Sequence, residues 1–193
     1  MIYLSADGAV GASDILLGSR SVPALAGGET SSGSTSVTIP AGTAPKTWYL
    51  IAKADGEGVL AETSETNNTF SKTIYIGPDL IVSAISAPAT AVAGQTISIG
   101  DTTKNNGADG APETVTEFYI SANSILDASD ILIGSRGVPA LGAGATSSGT
   151  TAVTIPPGTT AGTRYIIIKA DAGGAVAETW ETNNTLSKSI KIN

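Results

Sequence analysis

Short runs of β-branched and aromatic residues recur along the chain, and each run is bounded by Gly, Pro, Asn or Asp. Within several runs the apolar and polar residues alternate, as where Val153 and Ile155 alternate with Ala152 and Thr154. This period of two predicts β-strands with one buried face. Seven runs in the rear part of the chain are predicted as strands: residues 79–86, 95–105, 114–121, 131–136, 146–156, 163–171 and 186–192. Seven short strands over this length are typical of an all-β, immunoglobulin-like Greek-key β-sandwich.

The chain contains an internal repeat. The phrase "SDILLGSRSVPAL" at residues 13–25 returns as "SDILIGSRGVPAL" at residues 129–141, and this offset aligns residues 1–77 with residues 117–193 without a gap. Residues 78–116 have no counterpart ahead of the first copy. We therefore predict an incomplete repeat over 1–77, which lacks its N-terminal strands, and a complete repeat over 78–193, with Gly77-Pro78 as a short hinge between them.

The incomplete repeat would lack its first two strands and most of the third. Uncovering several large apolar side chains costs on the order of 10 kcal/mol, which is comparable with the whole stability of a domain. Three explanations remain open: the chain is a window from a longer tandem array, another chain completes the repeat by strand addition, or the repeat is disordered. The side chains expected to be exposed are Ile15, Leu16, Leu25, Val37, Ile39, Leu50 and Ile74.

Four stretches carry a resemblance to a known family. They are the opening "PDLIVSAISAPATAVAGQTISI", the central "FYISANSILDASDILIGSRGVPAL", the short "TIPPGT" and the ending "YIIIKADAGGAVAETWETNNT". The chain resembles CARDB, the cell-adhesion-related domain found in bacteria, over 78–193 and again over the rear portion in 1–77. The resemblance implies a non-catalytic, often tandemly repeated module with an immunoglobulin-like fold, located outside the cell at the bacterial surface.

Composition narrows the chemistry. The chain has no Cys and no His, so metals held by oxygen ligands are the ones that remain to be considered. A net charge of −7 opposes binding to nucleic acid or to anionic lipid. No stretch is long and apolar enough for a membrane span. We expect no organic cofactor and no nucleic-acid partner.

A loop rich in Asp and Asn is a candidate calcium site. "SANSILDASD" places Asn123, Asp127 and Asp130 close together, and the first copy, "SADGAVGASD", retains Asp7 and Asp14. Calcium binds six to eight such oxygens. The alternative is that these side chains shape the turn by hydrogen bonds to the backbone, and this alternative stays open.

A central strand is apolar on both faces. In "WYLIAKAD", if Leu50, Ala52 and Ala54 face the core, then Tyr49, Ile51 and Lys53 face outward. In the second copy, "RYIIIKAD", the outward residues are Tyr165, Ile167 and Lys169. An exposed Tyr–Ile pair predicts an interface for self-association or for a neighbouring repeat. Scattered apolar residues are also common on protein surfaces, so the alternative is an ordinary exposed strand.

The repeated "AETxETNNT" ending holds two carboxylates three residues apart. We expect Glu178 and Glu181 to face solvent on a turn, without the apolar pocket that would separate their pKa values for acid/base catalysis. Asn67 and Asn183 are expected to cap the turn before the last strand, and Glu62 and Glu178 to accept backbone N–H bonds there.

Two functions follow from these patterns. The first is a structural or adhesive element, part of a filament, stalk or surface layer built from tandem modules. The second is a carbohydrate- or protein-binding accessory module of a larger secreted enzyme or adhesin. Exposed aromatic side chains form sugar platforms, and the two Trp, at 48 and 180, occupy different positions in the repeat, which favours the structural function.

Overall fold

The computed structural model describes residues 1–193, which divide into two compact units, Met1–Ile76 and Gly77–Asn193. All regular elements in both units are β-strands, so the all-β prediction is confirmed. No helix is long and apolar enough to cross a membrane.

The first unit has one sheet of four antiparallel strands in the order β2-β1-β3-β4. These strands are β1 (Ile2–Ser5), β2 (Ile15–Gly18), β3 (Lys46–Lys53) and β4 (Thr69–Ile76).

The second unit has two sheets, and its immunoglobulin-like sandwich is as expected from the pattern. The three-stranded sheet has the order β10-β7-β5, and the five-stranded sheet has the order β6-β12-β11-β8-β9. All neighbours are antiparallel except β6 and β12, which are parallel. The strands are β5 (Leu80–Ser86), β6 (Thr90–Ala91), β7 (Thr96–Asn105), β8 (Thr114–Ser121), β9 (Ile131–Val138), β10 (Thr146–Thr154), β11 (Gly162–Lys169) and β12 (Thr185–Ile192). All seven predicted strands are present, and the two-residue β6 was not predicted.

The core of the second unit lies between its two sheets. One sheet contributes alternate residues such as Ile97 and Ile99 of β7, and the other contributes Ile166 and Ile168 of β11. Because side chains alternate between the faces of a strand, both sets point to the same interior. Phe118 of β8 is the bulkiest of the fully buried side chains.

The repeat offset shows which strands the two units share. Strands β1 to β4 correspond to β8, β9, β11 and β12, so the first unit contains the counterpart of one sheet and not of the other. Residues 30–38 align with β10 but form no strand. In the second unit β10 pairs with β7 alone, and residues 1–76 hold no counterpart of β7. A strand needs a partner for its backbone hydrogen bonds, which explains why similar sequences adopt different structures.

The expectation of a short hinge at Gly77-Pro78 is wrong, because both residues are buried parts of the second unit. The Gly77 carbonyl accepts hydrogen bonds from the backbone N–H groups of Ala108 (3.0 Å) and Asp109 (3.3 Å). Gly107 permits this close approach, since a Cβ there would lie 2.4 Å from the Gly77 oxygen. The start of the second unit is therefore fixed to its own domain.

Candidate assembly surface

The first sheet has a side that would be internal in a complete sandwich. We call the side that carries Leu50, Ala52 and Ile74 the open face, because their counterparts Ile166, Ile168 and Ile190 belong to the core of the second unit. Ala52 is exposed, and Leu50 and Ile74 are half-buried. The open face is therefore incompletely covered.

Loop residues around the open face differ in the same way between the units. Leu60 is 66% exposed, whereas its counterpart Val176 is 6% exposed; Leu25 is 45% exposed, whereas Leu141 is 5% exposed. These side chains are internal only where a second sheet is present. Several large apolar groups in one region are unusual for the surface of a monomeric protein and are typical of an interaction site.

The seven side chains expected to be exposed fall into two groups. Ile15 and Leu16 are exposed, but so are Ile131 and Leu132 at the same positions of the complete unit. Their exposure is a property of the β2 and β9 edge strand, and the expectation that it follows from missing strands is wrong. Of the others, Leu25 is exposed, and the half-buried members are Val37, Ile39, Leu50 and Ile74.

An ion pair links the two sheets of the second unit. The guanidinium of Arg136 on β9 donates to both carboxylate oxygens of Asp101 on β7, from Nε at 2.9 Å and from the second terminal nitrogen at 2.6 Å. Arg136 also donates to the hydroxyl and the carbonyl of Ser147 on β10, at 3.0 and 3.2 Å. Gly149 makes room for it, because a Cβ there would lie 2.5 Å from the Arg136 Cδ.

The first unit retains only part of this arrangement. Arg20, the counterpart of Arg136, donates to the hydroxyl of Ser31 at 2.9 Å and to its carbonyl at 3.0 Å. Ser31 is the counterpart of Ser147, so these contacts are repeated. Residues 1–76 hold no counterpart of Asp101, and Arg20 forms no salt bridge. Arg20 is thus a half-buried cation held in place without a carboxylate.

A loop near the end of the second repeat is hydrogen-bonded to the residues immediately before β5. We call residues 177–185 the second Glu-Asn loop and residues 61–69 the first Glu-Asn loop. The backbone N–H of Thr179 donates to the Pro78 carbonyl at 2.9 Å. The side-chain amide of Asn183 donates to a carboxylate oxygen of Asp79 at 2.8 Å, and the backbone of Leu80 lies close enough to the carboxyl of Glu178 to lower its pKa.

Burial changes the chemistry of Glu178. Removal from water raises the pKa of this carboxyl to about 7, against the lowering effect of a hydrogen bond from Asn184 at 2.9 Å. The neighbouring carboxylates of Glu181 and Asp171 raise the pKa further. The expectation that Glu178 faces solvent is therefore wrong. The turn is closed by Glu181, whose carboxylate accepts the backbone N–H of Glu178 at 2.9 Å, rather than by Asn183.

The first Glu-Asn loop has the same internal hydrogen bonds, but it is not bonded to a segment equivalent to Pro78 and Asp79. Glu65 accepts the backbone N–H of Glu62 at 2.9 Å, and Asn68 donates to Glu62 at 2.6 Å. Thr63 and Asn67, the counterparts of the groups that hold Pro78 and Asp79, have no hydrogen-bond partner in the protein. The first Glu-Asn loop therefore has the same internal hydrogen bonds as the second, but it is exposed to solvent.

The central strand corrects the predicted Tyr–Ile interface. Ile51 and Ile167 are fully buried, so the expectation that they are exposed is wrong. Ile167 lies outside the main core cluster, as an outward direction requires. However, β11 is a middle strand, and its register places Tyr119 and Ser187 directly beside Ile167. Alternation along a strand predicts which way a side chain points, but it does not predict how far the side chains of neighbouring strands cover it.

The two tyrosines of that prediction, Tyr49 and Tyr165, are half-buried, and their role in an interface stays a prediction. On the same face, Tyr119 donates to the carboxylate of Glu117. Burial raises the pKa of Tyr119 to about 12, and Glu117 adds to this shift. Tyr119 and Glu117 are therefore paired by a hydrogen bond on the outer face of the second unit.

The candidate calcium residues of the second unit form turn hydrogen bonds. Asn123 accepts the backbone N–H of Ile125 at 2.8 Å, and Asp130 accepts that of Asp127 at 2.9 Å. Asp127 accepts the backbone N–H of Ser129 at 2.7 Å, and bonds from Ser129 lower the pKa of the Asp127 carboxyl. No three Asp or Glu side chains lie close enough together to hold one metal ion.

The first unit repeats these turns with fewer side chains. Asp7 accepts the backbone N–H of Ala9 at 3.0 Å, which lowers the pKa of the Asp7 carboxyl, and Asp14 accepts that of Gly11 at 2.9 Å. These bonds are those expected of the turn hypothesis. Calcium binding by these residues stays a prediction.

Sequence inspection did not identify Arg20, Arg136 or Asp101 as functional residues. A signal for the arginines was present, because the repeated "GSR" places an Arg at the same position in both copies. The carboxylate partner lies 35 residues away from Arg136 in a different sheet, and no local pattern connects the two.

Comparisons with known proteins place these observations in a family. The family model CARDB matches residues 4–72 and again residues 77–188. No curated protein matches the chain.

Among solved structures, the CARDB domain of a Pyrococcus furiosus protein in complex with di-metal ions is 24% identical, with a TM-score of 0.48 over 62% of this chain and 96% of that chain. A solution structure of the same domain is 24% identical, with a TM-score of 0.46 over 60% and 95%. A β-glucosidase from Thermotoga neapolitana is 14% identical, with a TM-score of 0.42 over 59% of this chain and 16% of that enzyme. These values are low, and the family assignment rests on the sequence match alone.

Proposed function

Because the chain belongs to the CARDB family, we propose that it is a non-catalytic structural element of the bacterial cell surface, in which tandem sandwich modules act in adhesion. CARDB is a cell-adhesion-related domain, and two matched segments occur in succession. The extracellular location and the assembly into a filament, stalk or surface layer are parts of this proposal.

The observation that carries the proposal is the open face of the first unit. Each apolar side chain of medium size that is removed from water contributes about 1.5–3 kcal/mol. Several such groups, Leu25 and Leu60 among them, are exposed in the first unit and have buried counterparts in the second. A polypeptide that supplies a second sheet would bury them and connect one module to the next, in the manner of β-strand addition.

The acidic residues of the Glu-Asn loops support a role without catalysis. In the second loop Glu178 is buried against the start of β5, and Glu181 is used to close the turn. An acid/base pair needs two carboxylates that both reach a substrate. Glu178 is instead buried and bonded to Asn184, and Glu181 bonds within its own turn.

Association of the purified protein tests the proposal. Copies of the chain can pack open face against open face without exchanging strands, so we expect sedimentation velocity and negative-stain electron microscopy to show assemblies that grow with concentration. Leu60→Asp, in a loop beside the open face, should abolish them. Leu16→Asp should not, because Leu16 is also exposed in the first unit, at 54% against 66% for Leu60, but its counterpart Leu132 is exposed in the complete unit as well. Monodisperse monomers that bind polysaccharide would contradict the proposal and favour an accessory binding module.

A further inference from the structure

We propose that the open face is recognised by a segment of defined sequence, which begins with Pro-Asp-Leu and carries a second Asp in a later strand, as residues 78–106 do in the second unit. This completing segment would occupy the position that β5 and β7 have in the second sandwich. The inference rests on the proposed function and adds the chemistry of the partner.

The first Glu-Asn loop provides the receptor for Pro-Asp-Leu. In the second unit the corresponding loop bonds to Pro78 through a Thr N–H and to Asp79 through an Asn amide, and its Glu178 carboxyl lies close to the backbone of Leu80. In the first unit Thr63 and Asn67 present the same two donors without protein partners, and Asn68 already holds the Glu62 carboxylate at 2.6 Å. The side-chain amide of Asn67 is exposed and available to donate, and a carboxylate in the position of Asp79 would accept from it.

Arg20 provides a receptor for the second carboxylate. Two bonds to Ser31 orient its guanidinium as two bonds to Ser147 orient that of Arg136. The fork of a guanidinium fits a carboxylate in a bidentate manner, which Asp101 demonstrates in the second unit. A completing segment therefore needs an Asp 22 positions after the first one, since Asp79 and Asp101 are separated in this way.

Apolar residues of the completing segment would cover the area between these two polar receptors. In the second unit Leu80, Val82, Ile97 and Ile99 do so from β5 and β7, and all four belong to the core. A phospholipid surface or an unrelated apolar peptide would cover the open face without matching both the Asn amide and the arginine. The two receptors thus provide specificity, and the apolar face provides most of the affinity.

Exchange of residues 77–116 between two copies of this chain is not the arrangement we propose. In each copy that segment already covers the rear portion of the second unit. Transfer to the first unit of another copy would uncover one core while covering another, with no net burial. The completing segment is therefore an additional one, supplied by a partner polypeptide that carries this sequence pattern.

A fused chain tests the inference. A copy of residues 77–116 placed directly before Met1 restores the order found in the second unit, where residue 116 precedes residue 117. With Trp180→Phe in the background, Trp48 reports on the first unit alone. We expect its urea midpoint to rise by about 1 M or more, and binding of an apolar fluorescent dye to fall, compared with the unfused chain.

Control fusions separate specific recognition from simple coverage. Asp→Asn at the copies of Asp79 and Asp101 in the added segment should remove about half of the rise, and Arg20→Met should match the loss from the second substitution. A Trp48 midpoint unchanged by the fusion, or a rise insensitive to these substitutions, would overturn the inference. Either result would leave the concentration-dependent assembly of the unfused protein, and so the proposed function, to be judged on its own measurement.

Discussion

The ion pair between Arg136 and Asp101 is expected to be a principal link between the two sheets of the second unit. We consider Asp101→Asn, which keeps the size of the side chain and removes its charge. The Asp101 side chain is fully buried and that of Arg136 is 15% exposed, so little water is available to replace the lost carboxylate. The substitution leaves a nearly buried cation without a counter-charge.

The structure sets the size of the effect. Removal of one partner of a buried ion pair costs about 3–5 kcal/mol. Arg136 retains three hydrogen bonds, two to Ser147 and one to the Gly137 carbonyl, and the new amide oxygen can accept one more. We therefore expect the lower end of this range, a loss of about 3 kcal/mol in the free energy of unfolding of the second unit.

Urea unfolding followed by Trp180 fluorescence in a Trp48→Phe background measures this loss. At an m-value of about 1.5 kcal/mol per M, the midpoint should fall by about 2 M. Arg20→Met, followed by Trp48 in the converse background, is the matched control; it should cost under about 1 kcal/mol, because Arg20 has no carboxylate partner.

A double variant checks the physical reason. Asp101→Leu with Arg136→Met removes both charges, and an apolar pair in such a position is often as stable as the ion pair. The double variant should therefore be more stable than Asp101→Asn. The argument from burial is refuted if Asp101→Asn lowers the free energy of unfolding by less than about 1 kcal/mol. It is also refuted if the cost of the double variant equals the sum of the costs of Asp101→Leu and Arg136→Met measured singly.

Three further predictions concern the second unit and the loops. Burial raises the pKa of Glu178 to about 7 from an ordinary 4.5, so the folded state favours the protonated acid. The free energy of unfolding of the second unit should therefore fall by up to about 3 kcal/mol between pH 4.5 and 7. Glu178→Gln should flatten this dependence on pH, although the carboxylates of Glu181 and Asp171 remain nearby. A dependence equal to that of the parent chain would show that Glu178 is not the group responsible. The buried Asn105 amide makes four hydrogen bonds, so Asn105→Ala should cost about 3 kcal/mol in urea unfolding, and a cost below 1 kcal/mol would contradict this count. Because the oxygens around Asp127 serve the turn, we expect millimolar calcium to leave the melting temperature unchanged; a saturable rise that Asp127→Asn abolishes would support the calcium hypothesis instead.

The strands of the complete repeat could be predicted from sequence because their patterns are local. Runs such as 163–171 and 186–192 combine β-branched residues with flanking turn residues, and the structure has β11 and β12 there. β6 was missed because two residues carry no period. Residues 30–38 show the limit of this approach, since they are similar to β10 in sequence but lack the partner strand on which β10 depends.

The candidate surface depends on contacts between distant parts of the chain. Glu178 is acidic and lies in a turn, and both facts predict exposure; it is buried because residues 78–80, about a hundred positions earlier, dock against it. Ile167 points outward as alternation predicts, yet the neighbouring strands of the sheet bury it. The direction in which a side chain points is set locally by its strand, whereas its burial depends on which distant residues the fold places next to it.

The parallel pairing of β6 with β12 has a mechanical consequence. β6 lies near the beginning of the second unit and β12 at its end, and the Lys191 and Asn193 N–H groups donate across this pair to Ala89 and Ala91 at 2.9 and 3.0 Å. Tension applied through the two ends of the unit would slide these strands along their common axis and load the bonds together in shear. The sheet of the first unit ends at β4 without such a strand. Under a pulling force the second unit should therefore resist, and the first should extend before it.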